Sequence, residues 1–326
     1  MLEAPTMECV VEVEGVEKRY PGGVAAVNNV SLTAGRGVHV FLGPNGSGKS
    51  TLLSIIAGVL KPSAGRITVC GKDLWGPQGL DARKHIGYAP QDPPFRPLLT
   101  GYENLVRHAL FRGLSLGEAR RRARELLELV GLGEAGNRKV GEYSGGMRRR
   151  LTVAAALVGD PEVVVLDEPS TGLDPTARRE LWDIVMRLRE EGRVVLLATH
   201  YADEAEVLAS RVYIMHRGVV AAQGTVAELK ERYTPVSVII VEAKKEPPSP
   251  EEARSSLLLP GVEDVVVEGA VFRVYATRPN VVAPRVLETM VGSGVEVREL
   301  RILEPSLEDV YFKVTGTTLR GGEVGG

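Results

Sequence analysis

The sequence predicts an α/β protein in which helices cover both faces of a mostly parallel sheet, followed by a smaller α+β domain. Up to about residue 230 of the 326-residue chain, short strand-like segments alternate with helical ones, as they do around parallel sheets. One of these strands runs directly into a glycine-rich turn and then into a helical segment. Beyond residue 235 the order is strand, helix, strand, strand, helix, strand, which is the ferredoxin-like order.

The spacing of apolar residues predicts the elements of the first domain, residues 1–234. Strands are predicted at 9–13, 38–42, 66–70, 85–89, 162–166, 194–198 and 211–215. Helices are predicted at 49–60, 119–130, 147–158, 177–190 and 202–208. The mostly helical stretch of about 101–160 interrupts the alternation, so we expect it to form a separate lobe.

The second domain is predicted to span 235–316. Its strands are predicted at 236–242, 262–267, 271–275 and 295–302, and its helices at 250–258 and 281–291. This region contains no phosphate-binding loop, metal-ligand spacing or nucleophile arrangement, and ferredoxin-like folds serve many roles. Regulation, subunit contact and dimer stabilisation are the three roles we consider. The polar, glycine-rich residues 317–326 are expected to form a flexible tail.

Composition and charge restrict the possible functions. Hydrophobic residues make up 44% of the chain, which is enough for a globular core. The 40 basic and 42 acidic residues leave no basic excess, so we expect no nucleic-acid partner. Residues 1–8 lack the apolar core of a signal peptide, and no apolar run is long enough for a membrane span. We therefore expect an intracellular, soluble protein whose membrane role, if any, depends on a partner.

The chain has two cysteines. Cys9 and Cys70 could pair, but we expect two reduced thiols.

The strongest motif is the sequence Gly-Pro-Asn-Gly-Ser-Gly-Lys-Ser at 43–50, between a predicted strand and a predicted helix. Its glycines allow the backbone N–H groups to surround phosphate, and the helix N-terminus adds positive potential. Lys49 is expected to reach the β- and γ-phosphates, and the Ser50 hydroxyl to bind Mg²⁺. The residues assigned to nucleotide binding here are Gly43, Pro44, Asn45, Gly46, Ser47, Gly48, Lys49, Ser50 and Thr51.

A second motif places two carboxylates, Asp167 and Glu168, at the end of the apolar strand at 162–166. Ligands of open α/β sheets bind at the carboxyl ends of the strands, so both acids are expected to face the phosphate-binding loop. We expect Asp167 to hold Mg²⁺ and Glu168 to orient or deprotonate the attacking water. These two motifs together predict a nucleoside triphosphatase.

Further motifs resemble those of ABC transporter ATPases. Ser144-Gly-Gly146 resembles the family's signature, although Tyr143 and Met147 replace its usual Leu and Gln. Four more residues match family positions, in the family's order. They are Tyr20, which resembles the aromatic that stacks on adenine, Gln91 of the Q-loop, Asp174 of the D-loop and His200 of the H-loop.

The resemblance implies roles for these residues. Ser144, Gly145 and Gly146 would bind the γ-phosphate of ATP held by a second subunit, so that two chains enclose each ATP. Gln91 would contact Mg²⁺ and the attacking water, His200 would contact the γ-phosphate, and Asp174 would lie in a segment that crosses to the opposite site. The expected cofactors are therefore ATP and Mg²⁺.

The resemblance also implies partners and a place in the cell. The ATPase is expected to be a homodimer or heterodimer attached to a separate transmembrane permease, at the inner face of the cell membrane. The segments at 143–150 and 304–311 are similar to those of daunorubicin-resistance-type exporters, which implies export of a drug, lipid or polysaccharide. In this family the segment after Gln91, with Phe95, Leu98 and Leu99, lies where a permease helix docks, and burial against the helical lobe is the alternative.

Two other functions compete with this one. Soluble ABC ATPases that act on DNA or ribosomes typically carry a long coiled coil, a zinc module or two cassettes in one chain, none of which occurs in this sequence. A nucleotide-gated scaffold that does not hydrolyse ATP is the second alternative, and the presence of Glu168 and His200 argues against it.

Overall fold

A computed structural model of the protein describes residues 9–23, 25–234, 236–245 and 249–319. The chain divides into two compact units. The first runs to Val226 and takes in the segment that begins at Thr317, and the second is Ala227–Gly316. The domain limits expected from the sequence, 1–234 and 235–316, stay a prediction.

The first unit contains ten strands and seven helices within its described residues, and an eighth helix starts at its last residue. The strands are β1 (Val11–Arg19), β2 (Ala25–Ala34), β3 (Gly37–Leu42), β4 (Ala64–Val69), β5 (Lys72–Asp73), β6 (Ile86–Ala89), β7 (Val163–Asp167), β8 (Val194–Thr199), β9 (Arg211–His216) and β10 (Val219–Gly224). The helices are α1 (Lys49–Ile56), α2 (Gly79–Lys84), α3 (Gly101–Phe111), α4 (Leu116–Leu129), α5 (Gly145–Ala156), α6 (Pro175–Glu190), α7 (Ala202–Leu208) and α8 (Val226–Tyr233).

The central sheet has the strand order β10-β9-β3-β8-β7-β6, and all of its pairs are parallel except β10 with β9. Every residue of β3, β7 and β8 is buried, as expected for parallel strands that are covered on both faces. The predicted α/β fold with a mostly parallel sheet is therefore confirmed.

The strands near the N-terminus form a separate antiparallel sheet, with the order β2-β1-β4-β5. The sequence had indicated strands at 9–13 and 66–70 but no second sheet in this domain. In β1, buried and exposed residues alternate at first, which is typical of a sheet with one solvated face. Its buried side chains pack in the same core as α1 and the central sheet.

The helical lobe begins with two well-capped helices. In α3 and α4, the Thr100 and Ser115 hydroxyls accept hydrogen bonds from backbone N–H groups, while Glu103 and Glu118 bond back to the cap residues. Helix α4 buries Ala119, Ala123, Leu126 and Leu127, whereas its arginines at 120, 121 and 124 are exposed. This amphipathic division explains why an arginine-rich segment forms a solvated helix face.

The expectation of two reduced cysteines is wrong, because Cys9 and Cys70 form a disulfide. The antiparallel register of β1 and β4 places Val11 opposite Val69, and the Cys70 N–H donates to the Val10 carbonyl oxygen over 3.0 Å. The two cysteine Cα atoms consequently lie 4.2 Å apart, although 61 residues separate them in sequence. Such a pairing depends on strand register, which residue spacing alone does not fix.

Removal of this disulfide should destabilise the chain. Because the bond restricts a long loop in the unfolded state, we expect Cys9→Ser to lower the free energy of unfolding by about 2–4 kcal/mol. Urea titrations of the wild type with and without dithiothreitol, followed by circular dichroism, measure the same difference. The Cys9→Ser variant should not respond to dithiothreitol, and a wild-type midpoint unchanged by reduction would contradict the prediction.

The second unit has its own hydrophobic core and the ferredoxin-like order. Its elements are β11 (Ser237–Ala243), α9 (Pro250–Ser256), β12 (Val262–Glu268), β13 (Val271–Ala276), α10 (Pro279–Gly292), β14 (Val297–Leu303) and α11 (Leu307–Thr315). The fully antiparallel sheet has the order β12-β13-β11-β14, with the unit's first and third strands at its centre. Along β11, buried and half-buried side chains alternate strictly, as in a sheet with one face toward the core.

Several expectations concern residues that the structure does not describe. Residues 1–8, the boundary residue 235 and the tail from 320 onward all lie outside the described part. Leu319, which is described, is 6% exposed. Within the described ranges, no helix is both long enough and apolar enough to cross a membrane.

Candidate functional site

The phosphate-binding loop lies between the buried strand β3 and helix α1, as the sequence predicts. Gly46 and Gly48 have φ angles of 80° and 101°, a region that side chains other than glycine rarely adopt. At Gly48, a Cβ atom would also collide with the carbonyl oxygen of Ala26. Glycine at this position therefore lets the loop approach β2 closely.

Lys49 is the first residue of α1, and its side chain folds back over the loop. Its Nζ donates to the carbonyl oxygens of Gly43 and Pro44 over 2.7 and 2.9 Å, and lies 3.5 Å from Glu168 Oε1. Burial lowers the pKa of Lys49, and the neighbouring Glu168 carboxylate acts against this shift. The loop thus holds an almost fully buried cation beside the end of β7.

Ser50 and Asp167 meet as the sequence predicts. The Ser50 hydroxyl donates to Asp167 Oδ1 over 2.8 Å, although 117 residues separate them in sequence. Burial is the main reason that the pKa of Asp167 is raised, and the hydrogen bond from Ser50 opposes this effect. One carboxylate and one hydroxyl fit Mg²⁺, which typically takes one or two protein oxygens and fills its other positions with water and phosphate. Within the described ranges, no group of three or more His, Cys, Asp or Glu residues could hold a metal by itself.

Glu168 follows β7 directly and is 6% exposed. Its φ angle of 48° lies in the left-handed region, and its N–H donates to the Ala198 carbonyl oxygen on β8 over 3.1 Å. Its Oε2 accepts a hydrogen bond of 3.0 Å from the Thr171 hydroxyl and lies 3.5 Å from His200 Nδ1. Non-glycine residues in this backbone region are uncommon and occur often at functional sites.

A cavity of about 330 Å³ joins these residues. It is lined by Ala26, Asn45, Gly46, Gly48, Lys49, Ser50, Thr51, Gln91 and Glu168. Gln91 follows β6, the edge strand beside β7, and is exposed. The carboxyl ends of adjacent parallel strands thus place Gln91 and Glu168 at one edge of the sheet with the phosphate-binding loop, which is where open α/β sheets bind ligands.

The signature residues do not line this cavity. Ser144 caps helix α5 by accepting a hydrogen bond of 3.2 Å from the Met147 N–H, and both Ser144 and Gly145 are exposed. Asp174 caps α6, where its Oδ1 accepts from the N–H groups of Thr176 and Ala177. The hydroxyl and N–H groups at the start of α5 are consequently available to a group outside the subunit's own cavity.

Tyr20 follows β1 and is 42% exposed. Lys18 Nζ lies 5.7 Å from the centre of its ring, a cation–π distance. A large aromatic ring with this exposure can stack on a planar ligand. Tyr20 does not line the cavity itself.

Sequence reasoning missed three contributors to the site. Ala26 approaches Gly48 through its backbone, so its side chain gives no signal. The Thr171 hydroxyl binds Glu168; the resemblance placed Thr171 in the D-loop segment 170–174 but implied no such contact. Glu204 lies in α7 and is completely buried. The sequence clue to the burial of Glu204 is its spacing from apolar residues of α7. It is next to Ala205 and four residues before Leu208, on the buried face of the helix.

Comparison with known protein families gives two matches. A family model described as ABC transporter matches residues 27–171, and one described as the C-terminal domain of DrrA1-3-like ATP-binding proteins matches residues 224–315. The daunorubicin resistance ATP-binding protein DrrA3 of Streptomyces coeruleorubidus is 38% identical, over 96% of this chain and 98% of that protein. The Nod factor export ATP-binding protein I of Rhizobium sp. is 37% identical, over 94% of this chain and 97% of that protein.

Solved structures match about two thirds of the chain. A dimeric structure of MJ0796, a bacterial ABC transporter cassette, superimposes with a TM-score of 0.61 at 29% identity, covering 66% of this chain and 98% of that one. A second dimeric structure of the same cassette, in a post-hydrolysis state bound to ADP and Pi, gives a TM-score of 0.60 with the same identity and coverage.

Proposed function

The chain belongs to the ATP-binding subunits of ABC transporters, and we propose that it hydrolyses ATP at the site around Lys49 and Glu168 to drive export through a separate membrane subunit. The observation that carries this proposal is the convergence of Lys49, Ser50 and Glu168 on one cavity, with Asp167 hydrogen-bonded to Ser50. These are the charges and hydroxyl that phosphoryl transfer requires. The named relatives are resistance and export proteins, so they give no support to a soluble ATPase acting on DNA or ribosomes.

The chemistry follows from where the charges lie. The loop N–H groups and Lys49 bind the β- and γ-phosphates, and for this Lys49 must exchange its contacts with loop carbonyls for phosphate oxygens. Glu168 orients the water that attacks the γ-phosphorus and accepts its proton. Thr171 and Lys49 fix the two oxygens of the Glu168 carboxylate, and His200 approaches the same group from the end of β8. The bond to the leaving ADP oxygen then breaks.

Mg²⁺ would be held by Ser50 and Asp167, with the Gln91 amide oxygen as a further ligand. It would neutralise phosphate charge when bound. The Ser50–Asp167 pair supports this assignment, since both groups already converge on one point.

Dimerisation follows from the exposed signature. Ser144, Gly145 and Gly146 lie apart from their own subunit's cavity, so in our proposal they close over ATP bound by a second copy or a related chain. Closure uses the higher affinity of ATP for the closed dimer to shift the conformational equilibrium. Asp174 would act near the opposite site through the loop that it anchors at the start of α6.

The membrane partner would bind a groove of about 420 Å³ formed by the segment after Gln91, the helical lobe and the loop after Glu168. Its apolar lining includes Phe95, Pro97, Val140 and Leu173. Phe95 also packs edge-on against His108 of α3, at 5.6 Å between ring centres, so the two interpretations of Phe95 are compatible. We place the subunit at the cytoplasmic face of the membrane, held there by the permease, with a drug, lipid or polysaccharide as the exported class.

The groove predicts a specific assembly defect. Phe95→Asp introduces a charge into the apolar lining, and we expect it to reduce co-purification of the membrane subunit by about tenfold or more, since an unpaired charge at an interface costs several kcal/mol. Leu80→Asp is the matched control, because Leu80 is 79% exposed and does not line the groove. Unchanged assembly of Phe95→Asp would rule out docking at this groove.

The hydrolysis itself is tested with the full chain and its permease in lipid vesicles. We expect release of phosphate from ATP that requires Mg²⁺ and that scales with the amount of complex. Vesicles that bind ATP without releasing phosphate would favour the nucleotide-gated scaffold.

A further inference from the structure

Glu204 is a buried acid for which the proposed chemistry has no direct use. It is 0% exposed, and its Oε1 accepts hydrogen bonds from the Ser170 hydroxyl and from Trp182 Nε1, the latter over 3.0 Å. Within the described residues, its Oε2 has no hydrogen-bond partner. Burying a carboxyl group costs free energy unless hydrogen bonds compensate, and one oxygen of Glu204 has none among the described residues. Such a group therefore calls for an explanation.

One donor to Glu204 comes from the loop that follows Glu168, and the other comes from the helix after that loop. Ser170 lies two residues after Glu168 and is 1% exposed. Trp182 lies in α6, the helix that follows the same loop. Glu204 itself lies four residues after His200, near the start of α7. Its burial raises its pKa, and the hydrogen bonds from Ser170 and Trp182 are among the contacts that oppose that rise.

We propose that Glu204 is a positioning residue that bridges the loop after Glu168 and the segment carrying His200, and so fixes the distance between these two groups. The assignment rests on the proposed function. The Glu168 N–H bonds to β8 at Ala198, so the loop is held on one side by the strand and on the other by Glu204. The Glu168 and His200 side chains lie 3.5 Å apart between these two attachments. Displacements of about 1 Å at such groups can cost about a hundredfold in rate.

Two single substitutions separate positioning from general stability. Ser170→Ala and Trp182→Phe each remove one donor to the same Glu204 oxygen, but only Ser170 belongs to the loop that follows Glu168. In the full chain, we expect Ser170→Ala to lower kcat about tenfold with little change in the KM for ATP, and Trp182→Phe to keep kcat within about twofold. Equal losses of kcat in both variants would overturn the proposal.

Variants at Glu204 itself give a second test. Glu204→Gln keeps an acceptor oxygen and should retain kcat within about threefold, whereas Glu204→Leu should lower it about tenfold or more.

Combining Ser170→Ala with Glu204→Leu should add no further loss, as expected for two ends of one contact. Equal losses in the two Glu204 variants would contradict bridging, and so would a fully additive double variant. If Glu204→Leu does not fold, the Ser170 and Trp182 pair decides the question. A wild-type chain that never hydrolyses ATP, even with its permease, would instead refute the proposed function.

Discussion

The substitution Glu168→Gln should reduce ATP hydrolysis by about 10²–10⁴-fold while ATP binding persists. The amide keeps the size of the carboxylate and can still accept the 3.0 Å hydrogen bond from Thr171, so the local fold should be preserved. It cannot accept a proton from water, and it removes the negative charge that lies 3.5 Å from Lys49 Nζ. Rapid-quench measurement of kcat, together with equilibrium binding of a fluorescent ATP analogue, separates the two effects.

Glu162→Gln is the matched control for this prediction. Glu162 immediately precedes the opposite end of β7, and its side chain is 52% exposed and paired with His85. We expect wild-type hydrolysis from this variant, because Glu162 lies at the far edge of the sheet from the cavity. A Glu168→Gln enzyme that retained the normal rate would show that another group activates the water.

The second large effect is expected for Lys49→Ala, which should weaken ATP binding by about 10²–10³-fold. The lysine supplies charge-assisted hydrogen bonds to phosphate, each of which contributes more than a neutral one. Its removal also leaves the buried Glu168 carboxylate without the ammonium group that lies 3.5 Å from it. Isothermal titration with ATP and Mg²⁺ measures the loss of affinity directly.

Lys61→Ala serves as the control, since Lys61 is an exposed lysine shortly after the end of the same helix. Both substitutions remove one positive charge and a similar stem. A comparable loss of affinity in the two variants would mean that net charge, rather than the position of Lys49, governs binding.

Local motifs explain why much of the site was predictable from the sequence. The loop at 43–50 and the pair Asp167 and Glu168 each lie within one strand–turn unit, so neighbouring residues define their geometry. The rule that ligands bind at the carboxyl ends of parallel strands then brings them together, and the 2.8 Å contact of Ser50 with Asp167 agrees with it. The wholly buried strands β3, β7 and β8 were recognisable because each is a short, mostly apolar run.

The antiparallel sheet was harder to predict. Strand β2 contains Asn28 and Asn29 in its middle, and Asn29 has a φ angle of 50°. The pairing of β1 with β2 shifts register three times, which interrupts the two-residue period on which strand recognition depends. The disulfide depends on the register of β1 with β4, so it was missed together with the sheet.

Residues that act through long-range contacts left little trace in the sequence. Glu204 looks like an ordinary acid near the start of a helix, where acids are common. Its burial comes from the packing of α7 on β3, β8 and α6, which only the folded chain brings together. Ala26 contributes through a carbonyl oxygen, a group that every residue carries.

The central claim is that two chains share each ATP, and size-exclusion chromatography of Glu168→Gln tests it most directly. With ATP and Mg²⁺, the account predicts a shift from monomer to dimer that Ser144→Arg abolishes, because the exposed signature serine would face the partner's phosphate. Ser115→Arg is the control, since Ser115 is likewise an exposed helix cap in the same lobe, at α4, and should leave the dimer intact. A dimer that forms equally well in the Ser144→Arg variant would contradict a shared ATP site. So would a Glu168→Gln chain that, saturated with ATP and supplied with its permease, still does not dimerise.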